Sequence, residues 1–245
     1  MKRSLLLLLV CLMAILADAK TYVVSVGISR YQYIGALNLP AKDAKAVQEL
    51  YAKNGADVLL LTDEKATKAN ILSSLNTHFA KADANDQIVL FFSGHGYPGG
   101  ICSYDIVDES SGLSYSELKS VFKQSCAKRK IIMANTCFSG KLRSSNQVGK
   151  ASHKEHNDED TNVILFLSSR SNEASLEIPF LANSLFATYL LRGLKGGADI
   201  NRDRCISAKE IFNYVSEGVK QKSKDSQHPV MWGSFDDNFV MMDWR

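Results

Sequence analysis

Five short, almost continuously apolar runs constrain this chain more than any other feature: residues 22–28 (YVVSVGI), 58–61 (VLLL), 88–92 (IVLFF), 130–134 (KIIMA) and 163–167 (VILFL). A strand wetted on one face alternates apolar with polar residues, whereas a strand covered on both faces reads as an apolar run of this length. Between the runs lie amphipathic stretches, residues 40–53, 68–81 and 115–125, with apolar residues at helical spacing. The order βαβαβ-αβ predicts an α/β fold of three layers, a mostly parallel sheet sandwiched between helices. In such sheets ligands bind at the carboxyl ends of the strands, so chemistry is expected immediately after the apolar runs.

Two segments fit that position. Phe91-Phe92-Ser93-Gly94-His95-Gly96 follows one run and Ala134-Asn135-Thr136-Cys137-Phe138-Ser139-Gly140 follows another. Acyl transfer from a peptide needs a nucleophile that ionises near neutral pH and a group that protonates the leaving amine. Cys137 and His95 supply these. Gly94 and Gly96 permit sharp turns and close approach of a substrate, and the backbone N–H groups of Gly96 and Cys137 are candidate donors to an oxyanion. A cysteine after a strand is by itself often a small core residue, and a histidine in a glycine turn often structural. The pair at two strand ends points to catalysis.

Ser93-Gly94-His95-Gly96, followed 42 positions after His95 by Cys137 within Asn-Thr-Cys-Phe-Ser-Gly, resembles the caspase, metacaspase and caspase-like peptidase group. The spacing is that of the caspase signature, although its Gln-Ala-Cys form is absent. Residues 28–43 (ISRYQYIGALNLPAKD) resemble the family's first strand and following helix, and Ser175 to Glu177 with Ser184 to Thr188 resemble the segment after its fifth strand. The resemblance implies a parallel sheet between helices, Cys137 as nucleophile, His95 as general acid/base, and Gly96 and Cys137 as oxyanion donors. It is nearer to metacaspases and bacterial-type homologues than to animal caspases. Caspases use two arginines to select aspartate; here Leu37 falls near the place of the first and Glu177 near that of the second. Metacaspases carry an aspartate at the Asp43 position and another two residues before the cysteine, where this chain has Asn135. Asp43, Ser93, Asn135 and Glu177 are therefore the candidate substrate-binding residues, with a basic side chain, Arg or Lys, as the expected occupant. The competing reading of the same resemblance is a catalytically silent binding or regulatory protein.

The ends and connections add context. Lys2 and Arg3 lead into an apolar run and then Ala17-Asp18-Ala19, the pattern of a signal peptide over residues 1–19, leaving residues 20–245 as the peptidase domain, secreted or periplasmic. The run is short for a transmembrane span, so no stable membrane insertion is expected after cleavage. Roughly 225 residues suit one domain. Taking Lys2, Arg3 and Asp18 from the 29 basic and 26 acidic residues leaves 27 against 25, and no basic block interleaved with aromatics appears, so nucleic acid is not an expected partner. Cys11 lies within residues 1–19, and the four cysteines that follow, of five in all, are no disulfide scaffold in a chain of this length. Residues 141–160 are polar and without hydrophobic period, the composition of a mobile linker; its Lys141, Arg143, Lys150 and Lys154 are candidate points of self-cleavage. No cofactor is required for cysteine chemistry. Asp199, Asn201, Asp203, Cys205 and Glu210 nevertheless match the oxygen positions of a twelve-residue calcium loop, with Arg204 where that loop has glycine.

Overall fold

The computed structural model of the chain describes residues 19–136, 163–170, 173, 175–178, 181–233 and 235–245. Its centre is a six-stranded sheet built from β1 (Thr21–Gly27), β2 (Asp57–Thr62), β3 (Gln87–Ser93), β7 (Arg129–Asn135), β8 (Val163–Leu167) and β10 (Val230–Trp232). The strand order is β10-β8-β7-β3-β1-β2, and every pairing is parallel except that of β10 with β8. All five apolar runs are strands of this sheet.

Successive side chains on a strand point to opposite faces, and each face here meets its own helical layer. Val23, Val89, Phe91, Ile131, Met133, Ile164 and Phe166 enter one core with α1 (Pro40–Lys53), α4 (Leu185–Arg192) and α5 (Ala208–Lys222). Val24, Val26, Ile88, Leu90, Phe92, Ile132 and Ala134 enter the other with α2 (Lys68–Phe79) and α3 (Tyr115–Gln124). Burial of both faces is why β3 and β7 carry no alternation; β2, at the sheet edge, is the more exposed strand.

The helix ends follow local chemistry. Thr67 caps α2, and Ser114–Glu117 and Ser207–Glu210 form capping boxes at α3 and α5. Helix α1 starts with Pro40 but has no side-chain cap at Leu39; the Glu177 carboxylate supplies it from far along the chain, accepting from Leu39 N at 3.0 Å and Asn38 N at 3.2 Å. Gly27 lets α1 lie against the end of β1, since a Cβ there would stand 2.2 Å from the Pro40 carbonyl.

Three features were not visible in the pattern of the sequence. Residues 96–114 contain a small antiparallel sheet of β4 (Gly96–Tyr97), β5 (Gly100–Ile101) and β6 (Leu113–Ser114) beside the end of β3. The C-terminal residues contribute both β10 and β11 (Val240–Asp243), the latter pairing with β9 (Cys205–Ser207). Helix α4 begins only at Leu185, because Ser184 is its N-cap and residues 181–184 form a loop. No described helix is long and apolar enough to cross a membrane.

Candidate active site

Parallel pairing of β3 with β7 sets Ser93 directly opposite Asn135, and Gly94 N donates to Asn135 O at 3.1 Å. His95 is two residues beyond Ser93, and Cys137 is two residues beyond Asn135. The two segments singled out from the sequence thus leave neighbouring strands at the same edge and in the same register. Cys137 itself and the linker 141–160 lie outside the described residues, as does the signal segment 1–18.

His95 is partly buried and is held twice from the loop that follows β1. Its Nε2 lies 2.9 Å from the Gly35 carbonyl. A carbonyl only accepts, so Nε2 carries the hydrogen and Nδ1 keeps the lone pair of the neutral ring. Its backbone N–H donates to the Tyr31 hydroxyl at 2.7 Å, and the two rings sit 5.1 Å apart, tilted by 43°. The loop is itself anchored: the Asp63 carboxylate accepts from Ser29 N at 2.8 Å and Arg30 N at 2.9 Å, Gln32 N reaches Tyr104 O, and Leu37 N reaches Ser29 O. Burial raises the Tyr31 pKa, which the bond from His95 only partly offsets, so the phenol stays neutral.

Beneath these residues Asp43, Ser93 and Asn135 meet in one buried network. Asp43 is fully buried. One of its oxygens accepts from Ser93 Oγ at 3.0 Å and Asn135 Nδ2 at 3.3 Å; the other accepts from Asn183 Nδ2 and Ser184 N, both at 3.0 Å. Asn135 Nδ2 also reaches Ser184 Oγ at 2.8 Å and Ser93 Oγ at 3.2 Å. Desolvation pushes the Asp43 pKa above the usual carboxylate range, while the bonds from Ser184, Asn183 and Ser93 pull it back. All four partners present hydrogens to it and all are neutral, an arrangement that the ionised carboxylate satisfies in full. Among the described residues, Asn135 Oδ1 is buried without a hydrogen-bond partner, one acceptor beside Asp43.

Glu177 does not join this network. It is exposed, and its oxygens are engaged at the start of α1 by Asn38 and Leu39, about one turn before Asp43. The sequence assigned no site role to Tyr31, Gly35, Asp63, Asn183 or Ser184. Of these only Ser184 carried a signal, as a serine immediately before an apolar helical stretch.

The loop of Asp199, Asn201, Asp203, Cys205 and Glu210 is a separate unit. Asp199 accepts from the backbone N–H groups of Asp203 and Arg204, Asn201 from Asp203, Asp203 from Cys205, and Glu210 from Ile200 and Ser207. Arg204 adopts φ 66°, the left-handed turn at which the sequence lacks glycine. Among the described residues no group of three or more His, Cys, Asp or Glu side chains is placed to hold a metal ion. Cys102, Cys126 and Cys205 are free thiols.

Comparison with known proteins agrees with this architecture. The family model for the caspase domain matches residues 20–240. No curated protein matches the chain. Among solved structures, a crystal structure of a protein from Geobacter sulfurreducens aligns with a TM-score of 0.66 over 92% of this chain and 98% of that one; at 17% identity the likeness is one of fold. With a sheet of this order and a family match spanning almost all of it, the chain belongs to the caspase domain family, a family of cysteine peptidases.

Proposed function

We propose that the protein is an exported cysteine endopeptidase that cleaves after Arg or Lys, using Cys137 and His95. The observation that carries the proposal is the register of β3 with β7, in which Ser93 faces Asn135 and each of the two reactive residues follows two positions later. In this mechanism the Cys137 thiol gives its proton to His95 Nδ1, and the resulting thiolate attacks the peptide carbonyl. The N–H groups of Gly96 and Cys137 receive the oxyanion. His95, its Nε2–H held by the Gly35 carbonyl, gives a proton from Nδ1 to the leaving amine. Water then enters, gives a proton to His95 and releases the acyl group from sulfur.

The basic preference rests on Asp43 and Asn135. Asp43 is a buried carboxylate whose direct partners among the described residues are all neutral, and Asn135 Oδ1, without a partner among those residues, is an acceptor beside it. A cation held about 6 Å from that carboxylate gains roughly 2–3 kcal/mol at an effective dielectric near 20, on the order of a hundredfold in relative kcat/KM over a neutral side chain. The same preference makes Lys141, Arg143, Lys150 and Lys154 substrates for self-cleavage, and export follows from residues 1–19. The test is a panel of fluorogenic peptides ending in Arg, Lys, Asn or Asp, given to the mature protein and to Cys137→Ala. Turnover of the Arg and Lys peptides by the wild type alone is expected. Equal signal from both proteins across the panel would favour the silent binding or regulatory reading.

A further inference from the structure

The geometry points to Tyr31 as a positioning residue, one that fixes the His95–Gly96 segment through its hydroxyl and never touches the substrate. The inference rests on the peptidase reading above and adds a residue to it.

Three observations converge. First, the hydroxyl accepts the backbone N–H of His95 at 2.7 Å, so it acts on the main chain at the point where β3 ends. The next N–H along that main chain belongs to Gly96, the proposed oxyanion donor. A peptide plane is rigid and the chain turns only at φ and ψ, so holding His95 N restricts the direction in which the Gly96 N–H points.

Second, Gly94 is shaped to this contact. A Cβ at Gly94 would lie 2.5 Å from the Tyr31 hydroxyl and 2.9 Å from Phe92 Cζ. The glycine before His95 therefore makes room for the phenol, a role distinct from turning the chain or admitting a substrate.

Third, the loop bearing Tyr31 also bears Gly35, whose carbonyl holds the imidazole of the same histidine. Backbone and ring of His95 are thus fixed by one loop, and the Asp63 carboxylate ties the root of that loop at Ser29 and Arg30. A neutral phenol suits this position, because an oxygen that accepts one N–H at fixed distance orients the main chain without adding charge beside a thiolate.

Loss of the hydroxyl alone leaves the aromatic ring packed against His95 and frees the main chain. Misplacement of catalytic groups by fractions of an ångström to an ångström costs up to about a hundredfold in rate. Tyr31→Phe is accordingly expected to lower kcat roughly 10- to 100-fold while KM stays within about threefold. The amide of His95, protected in the wild type, is expected to exchange with deuterium at least about tenfold faster in the variant.

A double-mutant cycle locates the effect. Gly94→Ala in the wild-type background meets the hydroxyl, whereas in the Tyr31→Phe background that atom is gone, so the two losses in kcat are expected to be less than additive. An active wild type with unchanged kcat in Tyr31→Phe, or an unchanged exchange rate at His95, overturns the inference and leaves the peptidase reading standing. Wild-type hydrolysis no greater than that of Cys137→Ala overturns the peptidase reading, and the positioning role with it.

Discussion

Replacing Asn135 by Asp tests the buried network at its most sensitive point. Asn135 Nδ2 donates to Asp43, Ser93 and Ser184, at 3.3, 3.2 and 2.8 Å. In Asn135→Asp all three donations vanish and a second carboxylate stands about 3.3 Å from the first. If both were ionised, their repulsion at an effective dielectric near 20 would be about 5 kcal/mol. Taking up one proton at pH 7 from an unfolded pKa near 3.9 costs about 4 kcal/mol, so the pair shares a proton and the protonation cost sets the penalty. With about 1 kcal/mol for the weakened hydrogen bonding, the expected destabilisation is about 5 kcal/mol at pH 7 and about 1 kcal/mol at pH 4. The sign follows from the raised pKa of the folded pair. Its stability is fully present below about pH 4 and is lost, at roughly 1.4 kcal/mol per pH unit, as pH rises toward the folded value. The pKa of Asp43 is already raised in the wild type; that contribution is removed by subtracting wild-type stability at each pH. Urea unfolding of the mature chain in a Cys137→Ala background, followed by the fluorescence of Trp232 and Trp244, measures the difference. Asn135→Ala removes the donors without adding charge and should lose a smaller, pH-independent amount. A penalty for Asn135→Asp below about 1 kcal/mol at pH 7, or one that does not change between pH 4 and 7, would refute the placement of the Asn135 amide against Asp43.

Further expectations concern the edges of the site. Glu177→Ala removes the carboxylate that caps α1 at Asn38 and Leu39; a loss of about 1 kcal/mol, a fall of about 2–4 °C in Tm for a domain of this size, should appear in thermal unfolding, and no change would deny the cap. No step of the proposed mechanism runs through a metal, so a chelator should leave kcat/KM on the Arg peptide within about twofold. Calcium titrated into the same protein asks a separate question of the loop of Asp199, Asn201, Asp203 and Glu210, and a Tm rising by several degrees would mean that the loop takes the ion.

The amino-acid sequence by itself determined the layered sheet, because a strand covered on both faces must be apolar at every position, and residues 22–28, 88–92 and 130–134 satisfy that with few exceptions. It also displayed His95 and Cys137, since their flanking residues are contiguous with strand ends and need no long-range information to be noticed. The partners of these residues were not legible. Tyr31 and Gly35 meet His95 only because β1 lies beside β3, with Gly27 opposite Ser93, and the loops from both strands emerge together. Asn183 and Ser184 meet Asp43 from some 140 residues away. Glu177 illustrates the difference most directly: as a sequence position it resembles a pocket residue, and in the folded chain its oxygens bond Asn38 and Leu39, just ahead of α1. Periodicity reports which residues are buried; which polar atoms then face one another is set by strand order and register, and only the tertiary structure decides those.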